Sequence, residues 1–120
     1  MTHDSMVKDV VSYIKKQGHT NICADIPDYN KPAEIYWKVT GDGHIPDITS
    51  TYNNVDYIFE IEVADTINIE HTLSQLRLFS ANSAQHKKTF IVVVPKQNLG
   101  DMQTVVSTNA ISANIWTVGV

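Results

Sequence analysis

The sequence predicts an α/β protein in which a mixed β-sheet is flanked by helices. Three observations lead to this prediction: an amphipathic helix near the start of the chain, several segments with strand patterning, and a fully apolar segment between two further helices. The chain has 120 residues, of which 42% are hydrophobic and 18% are charged. This composition is typical of a single folded domain, here 1–120, and it excludes a disordered chain.

The first predicted element is a helix over residues 4–17, whose apolar residues recur every three or four positions and form one stripe. Such a stripe packs against a core while the lysines outside it stay in water. Asp4 or Ser5 is suited to cap the start of this helix. Gly18 is placed to end it, because glycine adopts a left-handed backbone without steric cost.

The remaining elements are strands and helices in the order of a mixed sheet. Alternating or short apolar patterns predict strands over 20–26, 34–40, 45–52 and 55–64, with a hairpin turn at Asn53–Asn54. A helix is predicted to run to about residue 82 from a cap among Asp65, Thr66 and Asn68. The apolar run 89–95 predicts a strand covered on both faces. A helix over 101–109 and a strand over 115–120 complete the chain.

Charge and composition exclude several classes of function. The net charge of −4 argues against a non-specific nucleic-acid coat, which would be basic, but it is compatible with a protein that holds phosphates through metal ions. The lone Cys23 excludes an intramolecular disulfide and a multi-cysteine zinc site. No apolar run is long enough for a membrane helix, and the charged first residues do not resemble a secretion signal. These features predict a cytoplasmic protein with no membrane partner.

The segment 55–64 combines carboxylates with an apolar strand. Glu60 and Glu62 fall on one face of this strand, and the opposite face is uniformly apolar. Two like charges at this spacing repel one another, and partial burial increases the cost. A divalent cation such as Mg²⁺ would relieve it. The alternative is that the two acids belong to a face exposed to water, which is the commoner role of such a pattern.

A third carboxylate lies on the preceding strand. If the hairpin turns at Asn53–Asn54, Asp47 is placed directly opposite Glu60. Cross-strand neighbours are about 5 Å apart, which is close enough for both groups to bind one ion. The spacing therefore predicts an acidic cluster of Asp47, Glu60 and Glu62.

These residues resemble the PD-(D/E)xK nuclease superfamily, which has the restriction-endonuclease-like fold. The matching elements are Pro46–Asp47, a short hairpin, the Glu60–Ile61–Glu62 segment, and the helix and apolar strand that follow. The resemblance implies an αβββαβ core from residue 4 to 95, with the last helix and strand as additions. It also implies Mg²⁺- or Mn²⁺-dependent hydrolysis of nucleic-acid phosphodiester bonds, with DNA as the favoured substrate, by an endonuclease or exonuclease. Nuclease folds of this size commonly act as pairs, so a homodimer is expected.

The resemblance also assigns roles to particular residues. It implies that Asp47 and Glu60 bind the metal ion, with the Ile61 carbonyl as a third ligand. Glu62 occupies the position of the usual lysine and is expected to act as a general base or to bind a second ion. Gln75, four residues before Phe79, is similar to a glutamine motif on the corresponding helix of RecB-type nucleases. A second alignment pairs the motif with Glu62–Val63–Ala64, but it leaves alanine at the position of the lysine, so the first alignment is preferred.

The departure at Glu62 supports a second hypothesis. A chain that lacks the family's lysine and has a net charge of −4 can retain the fold as a nucleic-acid-binding or protein-binding module without catalysis. Cleavage of DNA that depends on Asp47 distinguishes the two hypotheses.

Overall fold

The computed structural model describes residues 2–119 as a five-stranded mixed sheet with helices on both faces. The helices are α1 (His3–Gln17), α2 (Glu70–His86) and α3 (Leu99–Thr108), the last preceded by a short 3₁₀ turn (Lys96–Asn98). The strands are β1 (Thr20–Ala24), β2 (Ile35–Tyr36), β3 (Gly43–His44), β4 (Ile48–Tyr52), β5 (Val55–Ile61), β6 (Thr89–Pro95) and β7 (Asn114–Val118). No helix in this part of the chain is both long and apolar enough to cross a membrane.

The main sheet has the strand order β1-β4-β5-β6-β7, and β2 pairs with β3 in a separate small sheet. β4 is antiparallel to β1 and β5, whereas β5, β6 and β7 run parallel to one another. The β4–β5 register pairs Ile48 with Phe59 and confirms the alignment predicted from the Asn53–Asn54 turn. Both asparagines have positive φ angles, of 51° and 62°, as a tight hairpin turn requires.

Two hydrophobic cores lie on opposite faces of the sheet. Phe59 and Ile61 of β5 pack against α1, whereas Ile58 faces the core beneath α2 and α3. The same alternation divides β6 between the two cores, which confirms the prediction that this strand is covered on both faces. The predicted facing of the β5 side chains is also confirmed, so Glu60 shares its face with Ile58 and points to the α2 side.

Several predicted boundaries are wrong. Thr2, rather than Asp4 or Ser5, caps α1. Its side chain accepts a hydrogen bond from the Ser5 N–H, and its own N–H donates to the Ser5 hydroxyl. Gly18 ends this helix as predicted, with a φ of 103°. None of the predicted caps starts α2, which begins after Ile69 without a side-chain cap. The predicted last strand reached Val120, which lies outside the described residues.

The largest error concerns the strand predicted over 34–40. Only Ile35 and Tyr36 pair, with Gly43 and His44, because the chain turns back within a few residues. In this turn the Trp37 N–H donates to the Asp42 carbonyl, and the Gly41 N–H donates to the Trp37 carbonyl. Val39, predicted on a half-buried strand, is 98% exposed.

Candidate metal centre

Asp47 lies just before β4, at the end of the sheet where β5 finishes. Its backbone N–H donates to Glu60 Oε1 at 3.1 Å, and its Oδ2 accepts the Ile61 N–H at 2.8 Å. The Asp47 carbonyl also accepts a hydrogen bond from the Asp25 N–H beyond β1. Hydrogen bonds with β5 and with the residue after β1 therefore fix Asp47 beside the end of β5.

Glu60 is the most deeply buried acid of the cluster, with 2% of its surface exposed. Burial raises the pKa of Glu60 well above its usual value, and the negative charges of Asp47 and Glu62 raise it further. The Asp47 N–H is a weaker influence in the opposite direction. Glu60 is thus a carboxyl group that is costly to ionise unless a positive charge is placed next to it.

Glu62 follows β5 directly and continues its pairing, because its N–H donates to the Val93 carbonyl. Its side chain is 4% exposed, and burial raises its pKa to about 7. The hydroxyls of Thr66 and Thr72 donate to Glu62 Oε2 at 2.6 and 3.4 Å and act to lower this pKa. Glu62 is therefore a buried base that titrates close to neutral pH.

The alternative in which Glu60 and Glu62 face water does not fit this structure. Both side chains are more than nine-tenths buried, and both lie under the layer formed by α2. Buried acids without a nearby cation are uncommon, and each is held here by protein hydrogen-bond donors.

Three residues of this region were missed by sequence reasoning. His3 Nε2 lies 3.1 Å from Asp47 Oδ2, and hydrogen bonding to Asp47 is the main reason that the pKa of His3 is raised to about 9. Thr66, in the loop after β5, and Thr72, on α2, donate hydrogen bonds to Glu62. Only Thr66 carried a local signal, since it lies four residues after Glu62. The His3 contact depends on how α1 packs against the sheet.

The other residues that were predicted to belong to the site contribute less to this cluster than the three acids do. Ile61 directs its side chain into the α1 core, so only its backbone can take part in the centre. Gln75 is half-buried on α2, one turn after Thr72, and makes no side-chain hydrogen bond to the three acids within residues 2–119. His44, on β3, hydrogen bonds Ser74 of α2 at 3.0 Å rather than any of the three acids.

The acids are close, but they are not arranged as a ready metal shell. Within residues 2–119, no group of three or more His, Cys, Asp or Glu side chains converges on a point where one ion would sit. The reason is visible in the hydrogen bonds: Asp47 Oδ2 is occupied by His3 and Ile61, and Glu60 Oε1 by the Asp47 N–H. Binding of a cation would require these oxygens to exchange partners.

The fold and this cluster define an α/β protein with buried carboxylates at the carboxyl end of its central strand. No family model, curated protein or solved structure matches the chain.

Proposed function

We propose that this protein is a metal-dependent nuclease that hydrolyses phosphodiester bonds of nucleic acid, with DNA as the favoured substrate. The observation that carries the proposal is the burial of Glu60 and Glu62 next to Asp47, whose negative charge, together with burial, disfavours the ionised forms of both glutamates. A bound Mg²⁺ or Mn²⁺ ion would offset this cost. The order of α1, the antiparallel strands, α2 and β6 also supports the proposed restriction-endonuclease-like core.

The available donors suit a hard divalent cation. Asp47 and Glu60 offer carboxylate oxygens, which Mg²⁺ and Mn²⁺ prefer. The Ile61 carbonyl points to the same side as its N–H, which Asp47 binds, because both groups of a strand residue face one neighbour. Continuing the β4–β5 register places Pro46 opposite Ile61, and proline has no N–H to occupy this carbonyl.

Bound there, the ion would lower the pKa of a water molecule and stabilise charge on the phosphate. Glu62 is then suited to receive the proton of the attacking water, because its pKa near 7 matches the working pH of a general base. Thr66 and Thr72 fix the orientation of its carboxylate. Glu62 thus offers a proton acceptor at the position where the PD-(D/E)xK nucleases usually have lysine.

A cleavage assay tests this proposal. The protein is incubated with single-stranded, duplex and branched DNA in the presence of Mn²⁺, and product is measured for wild type, Asp47→Asn and Asp56→Asn. Asp56 is a matched control, since it is an exposed acid at the opposite end of β5. We expect cutting by wild type and Asp56→Asn, and a loss of at least about 100-fold in Asp47→Asn.

The second candidate is a binding module that has lost catalysis. The observations that favour it are the glutamate in place of lysine and the occupation of the Asp47 and Glu60 oxygens by protein donors. The same assay separates the candidates: absence of cutting on all three substrates, or cutting that survives in Asp47→Asn, contradicts the nuclease proposal.

A further inference from the structure

A cleft of about 460 Å³ opens at the carboxyl ends of the three parallel strands. Its walls come from Val63 after β5, Pro95 of β6, Val118 of β7 and Thr2 at the start of α1. In sheets with parallel strands, ligands commonly bind at this end, where loops and helix starts surround a crevice. The cleft also has the volume expected for a small organic ligand.

The cleft adjoins the acid cluster through His3. This residue lines the cleft, and its Nε2 lies 3.1 Å from Asp47 Oδ2. A molecule in the cleft would therefore lie next to the carboxylates proposed to act on a phosphodiester. None of the residues predicted from the sequence as site residues lines this cleft, so it is a separate surface.

The polar groups of the cleft require a ligand with two kinds of chemistry. Lys96 supplies a positive charge, which binds an anion such as phosphate. Asn98 is 92% buried, and its Oδ1 has no hydrogen-bond partner within the described part of the chain. Asp65 adds a carboxylate, which when ionised accepts hydrogen bonds but donates none. The complementary ligand carries an anionic group together with hydroxyl or N–H donors.

We propose that the cleft binds a nucleotide unit of the nucleic-acid strand, adjacent to the phosphodiester that is cut. Lys96 contacts the phosphate of this unit. Asn98, whose Oδ1 is buried in the free protein, turns toward the cleft and accepts a hydrogen bond from the sugar or base. The link to cleavage rests on the proposed nuclease function, whereas binding of the nucleotide itself requires no catalysis. An inorganic phosphate lacks the additional donors and is expected to bind more weakly.

Nuclear magnetic resonance titration of the metal-free protein tests this inference. Thymidine 5′-monophosphate is added to the ¹⁵N-labelled chain in the presence of a chelator, with inorganic phosphate in a parallel titration. We expect shifts at residues 2–3 and 96–98, and a Kd for the nucleotide at least about fivefold below that for phosphate. Shifts confined to other regions, or equal affinity for the two ligands, would overturn the assignment.

Two variants test the named residues. Lys96→Gln should weaken nucleotide binding at least about fivefold, while Lys16→Gln, about 20 Å away along α1, should leave it unchanged. Asn98→Ala removes the unpartnered Oδ1 together with a long hydrogen bond of 3.4 Å from Asn98 Nδ2 to Asp101, and it should weaken nucleotide binding but not phosphate binding. Wild-type affinity in Lys96→Gln contradicts the inference.

The chelator keeps the two proposals distinguishable. Nucleotide binding without metal-dependent cleavage would retain the cleft and reject the nuclease. Cleavage that depends on Asp47 in a protein whose cleft binds no nucleotide would retain the nuclease and reject the cleft.

Discussion

Glu62 links the acid cluster to the stability of the metal-free protein. Its pKa is raised from 4.5 to about 7, mainly by burial, so the folded chain keeps a proton that the unfolded chain releases. Glu62 alone should therefore lower the free energy of unfolding by about 3 kcal/mol as the pH rises from 4.5 to 7. Urea unfolding at pH 5 and pH 7.5 should show a smaller fall in Glu62→Gln than in wild type, and the remaining fall comes from Glu60 and His3, whose pKa values are also raised.

Glu70→Gln is the control for this prediction. Glu70 lies in the first turn of α2 with 88% of its side chain exposed, so its removal should leave the pH profile nearly unchanged. An equally steep fall in Glu62→Gln and in wild type would show that Glu62 is not the group responsible.

The contact of His3 with Asp47 predicts a separate titration. This contact raises the pKa of His3 from 6.5 to about 9, so its contribution to stability is complete below pH 6.5 and is lost as the pH rises to 9. Titration of His3 followed by nuclear magnetic resonance should give a pKa near 9 in wild type and a lower value in Asp47→Asn. The exposed control Asp56→Asn should leave the His3 titration unchanged, and no response to Asp47→Asn would contradict the contact.

The sequence predicted the three acids of the cluster but not the residues that hydrogen bond to them. Asp47 and Glu60 could be aligned because the hairpin is local and its turn residues mark its centre. His3 contacts Asp47 across 44 positions of the chain, and no periodicity in the sequence encodes that contact. Whether these residues bind a metal ion or act on nucleic acid stays a prediction.

At the scale of elements, the Asn53–Asn54 turn sets the register that aligns Asp47 with Glu60. Asn54 has a φ of 62°, which glycine adopts freely and a β-branched residue adopts only with strain. Asn54→Gly should keep or increase the free energy of unfolding, and Asn54→Val should lower it by about 1–2 kcal/mol. Chemical unfolding measures both changes, and a stabilising effect of valine would contradict the assigned turn.

The elements that sequence reasoning misplaced are those in which tertiary contacts override local patterns. Thr66 was expected to cap α2, but its hydroxyl is used by Glu62 and by the backbone of Val63 instead. The alternation over 34–40 resembled a half-buried strand, yet a turn over 38–40, closed by hydrogen bonds of Trp37 with Gly41 and Asp42, reverses the chain. In contrast, β6 was predicted with its observed bounds because an uninterrupted apolar run suits only a covered strand.

At the scale of the whole molecule, the sheet edges bear on the predicted homodimer. β1 forms one edge and carries an irregularity in its pairing between Thr20 and Cys23, which hinders addition of a further strand. β7 forms the other edge and contains no charged residue. We therefore expect two copies to pair through β7, since the same strand can pair with itself about a two-fold axis.

Light scattering after size-exclusion chromatography tests this expectation. Wild type should give twice the mass of one chain, and Thr117→Lys, a charge placed at an exposed position of β7, should give the monomer mass. Thr20→Lys, at the β1 edge, is the matched control and should remain dimeric. A wild-type monomer at high concentration contradicts the prediction.

We propose that Asp47, Glu60 and Glu62 lie together because a divalent cation binds between them, and calorimetric titration tests this most directly. Mn²⁺ and Mg²⁺ are titrated into wild type, Glu60→Gln and Asp56→Asn at pH 7.5. We expect a single site with a millimolar or lower Kd in wild type and in Asp56→Asn. This site should be lost in Glu60→Gln. Absence of binding in folded wild type at millimolar metal, or unchanged binding in Glu60→Gln, would contradict the claim.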